Sequence, residues 1–150
     1  MSKIVIVDTS CLISLSNSNS LDLLKSAYSE IYVTQEIQAE FNEKLPIWIN
    51  VLNPSKKKVD EFSKILDLGE ASAIALATEN PESLLIIDEA KGRKIAKEQN
   101  INIIGTIVFL LKIQKSGVIK DAFPIIIRIV NNGFRISTAL LNKLIEFYNK

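Results

Sequence analysis

Apolar residues come in two rhythms along this chain. Short unbroken runs, Ile4-Val5-Ile6-Val7 foremost, alternate with longer stretches whose apolar positions recur every three or four residues. Unbroken β-branched runs of four read as strands buried on both faces, as in a parallel sheet. They predict strands at 4–7, 31–34, 84–87 and 101–104, with a weaker one at 47–52. The helical rhythm predicts helices starting near Ser10, Ser20, Gln35, Lys56, Glu70, Glu89, Thr106, Pro124 and Ser137. Strands alternating with helices imply βαβ units around a mainly parallel sheet, an α/β fold.

Toward the C-terminus the rhythm changes. Ile125, Ile126, Ile129 and Val130 form one helical stripe, and Leu140, Leu141, Leu144, Ile145 and Tyr148 form another. Asn132-Gly133 breaks the chain between them. A helical hairpin over 121–150 is expected, either covering the sheet or offering a surface for self-association. No repeat, low-complexity tract or linker divides the 150 residues, which suit a single domain.

Composition narrows the chemistry. With 47% hydrophobic residues a packed core is expected, and a net charge of +1 gives no global footprint of a nucleic-acid binder. Any such contact must come from a local patch. The Lys56-Lys57-Lys58 run is expected to be a solvated helix face, and Trp48 beside Pro46 a packing residue. The single cysteine, Cys11, sits among apolar residues and is expected to be buried; one thiol makes no intrachain disulfide. No apolar run approaches the roughly 18 residues of a membrane span. A soluble cytoplasmic protein without a signal peptide is the expectation. The chain contains no histidine. Ser-His-Asp and Cys-His catalysis are therefore excluded, as is a zinc site built from Cys and His. Carboxylate, hydroxyl, Lys and Arg chemistry remains, and carboxylates with hydroxyls favour hard cations.

Four carboxylates stand where a site can form. Asp8 ends the first strand and is followed by the hydroxyls of Thr9 and Ser10. In open α/β sheets the carboxyl ends of strands are where ligands bind. Capping the next helix is the other use of such an Asp. Glu40 lies on a helix expected over 35–43, four residues after Glu36. Like charges at that spacing cost about 0.2–0.5 kcal/mol, so this face is not tuned for helix stability. Glu70 opens a helix of small residues, Ala71 to Ala77, that can lie close to a sheet. Asp88 ends the strand 84–87 as Asp8 ends its own, with Glu89 a spare acid beside it. Lys91, Arg93, Lys94 and Lys97 follow, and Gly92 permits close approach of a ligand to the backbone.

The motifs Ile-Val-Asp-Thr-Ser, Gln-Glu-Ile-Gln-Ala-Glu-Phe, Leu-Gly-Glu-Ala-Ser-Ala-Ile-Ala-Leu-Ala and Leu-Ile-Ile-Asp-Glu-Ala-Lys-Gly-Arg occur in that order. Together they resemble the PIN-domain family, in the branch with Gly-Glu-Ala where the ribonuclease toxins of toxin–antitoxin pairs have an Asp. Ile-Ile-Gly-Thr-Ile-Val-Phe-Leu-Leu-Lys and Lys-Ser-Gly-Val-Ile fit the same branch. The resemblance covers about residues 3–120. It implies a three-layer α/β sandwich with an acidic pocket that binds Mg²⁺ or Mn²⁺ and cuts RNA. By position, Asp8, Glu40, Glu70 and Asp88 are its four acids, both metal-holding and catalytic. Thr9 or Ser10 supplies a hydroxyl near the metal, and Arg93 a phosphate contact. An antitoxin protein and a second copy of the chain are the partners it suggests. A PIN-fold module that binds nucleic acid or a partner with little or no catalysis is the alternative. A receiver-like or phosphatase-like domain using Asp8 as phosphoacceptor is a third reading. It lacks an acidic pair before Asp8, where Ile6 and Val7 stand.

Overall fold

The computed structural model describes residues 4–149. Five strands, β1 (Ile4–Val7), β2 (Glu30–Val33), β3 (Ile49–Val51), β4 (Leu84–Ile86) and β5 (Asn102–Ile104), form one sheet in the order β3-β2-β1-β4-β5. Every pairing is parallel. β1 is central, with Val5 opposite Ile31 on one side and Leu84 on the other. Its Val5, Ile6 and Val7 are buried, as are all three residues of β4. The strand signal in the sequence is strong where both faces are covered. The edge strand β3 has one buried residue, Ile49, and its signal is correspondingly weak.

Nine helices flank the sheet among the described residues: α1 (Thr9–Asn17), α2 (Asp22–Ala27), α3 (Gln35–Phe41), α4 (Lys56–Phe62), α5 (Leu68–Glu79), α6 (Ala90–Glu98), α7 (Thr106–Lys115), α8 (Phe123–Asn131) and α9 (Thr138–Tyr148). α5 is buried from Gly69 through Ala77 without a break, because it lies against β1 and β4 and under α3, α4 and α6. Its alanines, Gly69 and Ser72 let neighbours approach on several sides, while Ile74 and Leu76 fill the core. Cys11 is fully buried in the core. Trp48 packs against that core, and Lys56 and Lys58 make exposed or half-exposed ion pairs with Asp60 and Glu79.

The order of the strands places the site. The chain builds outward from β1 through β2 to β3, then crosses back to β4 on the other side of β1. The carboxyl ends of β1 and β4 therefore bound the crevice where the winding reverses, the usual ligand position in open parallel sheets. The Asp8 N–H donates to the Ile86 carbonyl at 3.1 Å, fastening the two strand ends together.

Two expectations are corrected. α3 ends at Phe41, not at residue 43, because Asn42 takes a left-handed conformation (φ 54°) that closes the helix. α5 begins at Leu68, so Glu70 is its third residue rather than its first. The C-terminal hairpin forms as α8 and α9. α8 docks on α1 through buried Ile126 and Ile129, with Arg128 Nε and Asn132 Nδ2 donating to the Ser18 and Asn17 carbonyls at 3.2 and 3.4 Å. α9 has no buried residue at all.

Candidate active site

Four helix N-termini meet at the carboxyl edge of the sheet, and each presents an acid. This follows from the winding: α1 and α7 leave strand ends, while α5 approaches β4 from the same edge. Asp8 occupies the cap position of α1, Asp67 that of α5 and Glu89 that of α6. Asp88 accepts the N–H of Thr106 at 2.8 Å at the start of α7, and the Thr106 hydroxyl at 2.5 Å. A helix N-terminus carries a partial positive charge and free N–H groups, so carboxylates gather there at reduced electrostatic cost.

An open cleft of about 420 Å³ is lined by Asp8, Thr9, Ser10, Ile13, Glu40, Asp67, Glu70 and Glu89. Glu40 reaches it from α3. Its Oε1 accepts the Thr9 hydroxyl at 2.5 Å and its Oε2 accepts the Gly69 N–H at 3.1 Å, so one side chain ties the starts of α1 and α5. α3 is held for this by Thr34, whose Oγ1 caps the helix at Ile37 N (3.2 Å) and lies 2.7 Å from the Ser72 hydroxyl of α5. Glu36, one turn earlier, lines a different groove with Gln35, Asn53 and Lys56.

Asp8 sits where a cap belongs, yet its side chain makes no cap hydrogen bond. It is 3% exposed, and no donor reaches its buried Oδ1. Burial chiefly, with the charges of Asp67, Glu40 and Asp88, pushes its carboxyl up to about 7, against a pull downward from the Thr9 N–H. Glu70 is likewise buried, with Oε2 unpartnered. Its carboxyl is pushed up to about 8 by burial first, then by a hydrogen bond to the Asp67 carboxylate that exists only with a proton between them, and by the charges of Asp67, Asp8 and Glu89. Asp88 is raised by burial, offset in part by its Thr106 hydrogen bonds and by Arg93. Glu89 is lowered, above all by the N–H of Gly92, which it caps at 2.9 Å.

The predicted residues thus divide. Asp8, Glu40 and Glu70 line one cleft together with Thr9 and Ser10. Asp88 is close enough to raise Asp8, yet it lines the neighbouring cleft, with Arg93. The Arg93 Nη1 donates to the Ile87 carbonyl at 2.9 Å. Thr9 is half-buried and engaged with Glu40, whereas Ser10 is exposed at the mouth. Asp67 is a further acid of the cleft that the sequence reading does not single out. Its signal is legible all the same: Asp67-Leu68-Gly69-Glu70 has capping-box spacing, and the Glu70 N–H does donate to Asp67 Oδ1 at 3.0 Å. Two glycines make room for the acids. A β-carbon at Gly69 would overlap Glu40 Oε1, and one at Gly92 would stand 3.1 Å from Glu70 Oε2 and 2.8 Å from Ile87 Cδ1.

Two buried carboxylate oxygens without donors, facing a cleft of further acids, suit a hard divalent cation, which supplies what no N–H supplies here. Among the described residues no three acidic or sulfur side chains are yet drawn together as a finished cation cage. A cation that keeps several of its waters, as Mg²⁺ does, needs fewer direct ligands.

Fold and site together define a parallel α/β domain with an acidic cleft at its switch point. A family model described as PIN domain matches residues 4–150, and the chain belongs to that family. PIN domains are nucleases or nucleic-acid-binding modules and typically use divalent metals. No curated protein matches the chain. Among the described residues no helix is long and apolar enough to cross a membrane.

Proposed function

We propose that this protein is a metal-dependent endoribonuclease that hydrolyses RNA phosphodiesters in the acidic cleft. The observation that carries the reading is the pair of buried oxygens, Asp8 Oδ1 and Glu70 Oε2, which folding leaves without donors. Burying a carboxylate oxygen without a donor is unfavourable; Glu36 Oε1 is a third such oxygen, but it lies by itself in another groove, whereas Asp8 and Glu70 face one cleft with Glu40 and Asp67. Asp8, Glu40 and Glu70, with Asp88 at the rim, would hold Mg²⁺ or Mn²⁺. Such an ion lowers the pKa of a bound water and neutralises charge on the phosphate and the leaving oxygen. The chain's own contributions are positional. Thr9 and the Gly69 N–H fix the Glu40 carboxylate. Thr106 fixes Asp88, and the Ile87 carbonyl steadies Arg93 for a phosphate. Ser10 stands at the mouth for a substrate contact. We read the whole chain as one cytoplasmic domain. We further propose that it acts as the toxin of a toxin–antitoxin pair, held by an antitoxin, and pairs with a second copy through exposed apolar residues of α9.

The test is cleavage of a single-stranded RNA with Mn²⁺ by purified wild type and by Asp8→Asn, Glu40→Gln and Glu36→Gln. The first two variants should lose cleavage by about a hundredfold or more, and Glu36→Gln should retain it. Equal activity in all four would remove the cleft from the chemistry. A PIN-fold module that binds nucleic acid without cutting is the second reading, favoured by the unfinished state of the cation cage. It predicts RNA binding by the wild type with no Mn²⁺-dependent cleavage.

A further inference from the structure

A second cleft, of about 330 Å³, lies on the far side of Asp88. Apart from Asp88 its charged lining is entirely cationic: Arg93 and Lys97 from α6, Arg135 from the turn after α8, and Lys143 from α9. Among the described residues none of the four has a carboxylate within ion-pair distance; the ion pairs there are Lys56–Asp60 and Lys58–Glu79. Asp88 is their one acidic neighbour: it feels the charge of Arg93, and its oxygens also accept both donors of Thr106. In a chain of net charge +1, four cations against one carboxylate around a single concavity are a concentration, not a background. Like charges held together cost free energy unless an anion joins them. The same cleft is walled by half-buried Phe134, and by Ser137, Ala139 and Leu140 at the N-terminal turn of α9. α9 has no fully buried residue and rests on the core only through half-buried Leu140, Leu144 and Phe147, which leaves its Lys143 side free to wall the cleft.

We propose that the C-terminal hairpin closes a phosphate-binding groove for single-stranded RNA, in which Arg93, Lys97, Arg135 and Lys143 take backbone phosphates and Phe134 stacks on a base. Cations that track a backbone beside an aromatic platform are the recurring recipe for single strands. Asp88 borders this groove and lies near enough to Asp8 to raise its carboxyl, so a strand leaving the groove enters the acidic cleft. The inference rests on the nucleic-acid reading and adds to it the path of the strand and the role of residues 121–150.

Binding of a fluorescein-labelled single-stranded oligouridylate, read by anisotropy in EDTA across a salt series, tests the groove apart from cleavage. The double variant Arg135→Ala/Lys143→Ala should bind about tenfold more weakly, and its slope of log K against log salt should shrink by about 1.4, at about 0.7 for each single-strand phosphate no longer neutralised. Lys56→Ala/Lys57→Ala, on exposed α4, should leave affinity and slope unchanged. Both pairs are exposed, and thermal melts check that both variants remain folded. Wild-type affinity and slope in Arg135→Ala/Lys143→Ala would overturn the groove while leaving the nuclease reading standing. A wild type that binds no oligouridylate at low salt would overturn both. A poly-glutamate peptide that binds wild type more tightly than the RNA, and whose binding disappears in the same variant, would reassign the groove to an acidic protein partner and overturn the proposal.

Discussion

Replacing Asp8 by Asn should make the metal-free protein more stable at alkaline pH. Asp8 is the most deeply buried acid of the cleft, and its carboxyl moves from the ordinary 3.8 to about 7 on folding. A folded value above the unfolded one means that the native state holds a proton the unfolded chain has released. Stability then falls as pH rises from about 4 to about 7, and the full penalty applies above that window. At 1.36 kcal/mol per pH unit it amounts to about 4 kcal/mol above pH 7 and about 1.5 kcal/mol at pH 5. It vanishes below the unfolded value. Asn carries no such penalty, but it brings an amide donor, whose burial costs about 1–3 kcal/mol if no acceptor turns to it. The net gain is about 2 kcal/mol at pH 8, or about 4–8 °C in a domain of this size. At pH 5 the two melting temperatures should meet or cross. Circular dichroism melts in EDTA at both pH values measure this. A variant that melts at or below wild type at pH 8, with the same difference at pH 5, would refute the reasoning. A helix-capping role predicts that flat outcome, since Asn caps about as well as Asp. Mn²⁺ extends the test. At a hundred times its dissociation constant it should stabilise wild type by about 2.7 kcal/mol and the variant far less.

Gly69→Ala should leave the protein folded, because what the new β-carbon meets is the end of the Glu40 side chain rather than backbone. It should still lower cleavage by about tenfold, since the added β-carbon displaces the Glu40 carboxylate; a fully active variant would show that Glu40 need not sit where Thr9 and Gly69 hold it. Light scattering at tens of micromolar should find a dimer that Leu141→Lys/Ile145→Lys dissociates, as these residues are 48% and 49% exposed on α9. A monomeric wild type would reject self-association.

Sequence by itself determined the alternation of strands and helices, because covering a strand on both faces demands an unbroken apolar run, and Ile4–Val7 shows one. It determined that Asp8 stands at a strand end, and that a helix of small residues follows Gly69. It could not determine which strands are neighbours. β1 and β4 are distant in the chain yet pair in register, Val5 against Leu84, and only that pairing brings the first and last acids to one edge. Glu40 and Glu36 share a helix and a charge; tertiary packing alone separates them, sending one to Thr9 and Gly69 and the other into a different groove. Nor does the sequence show that Asp88 borders a neighbouring cleft, with its oxygens engaged by Thr106, 18 residues on. The gathering of Arg93, Lys97, Arg135 and Lys143 is of the same kind. Secondary structure is written in local periodicity, where each residue's burial has a sequence signature. A site joins side chains from separate elements, and their meeting depends on how the whole chain packs.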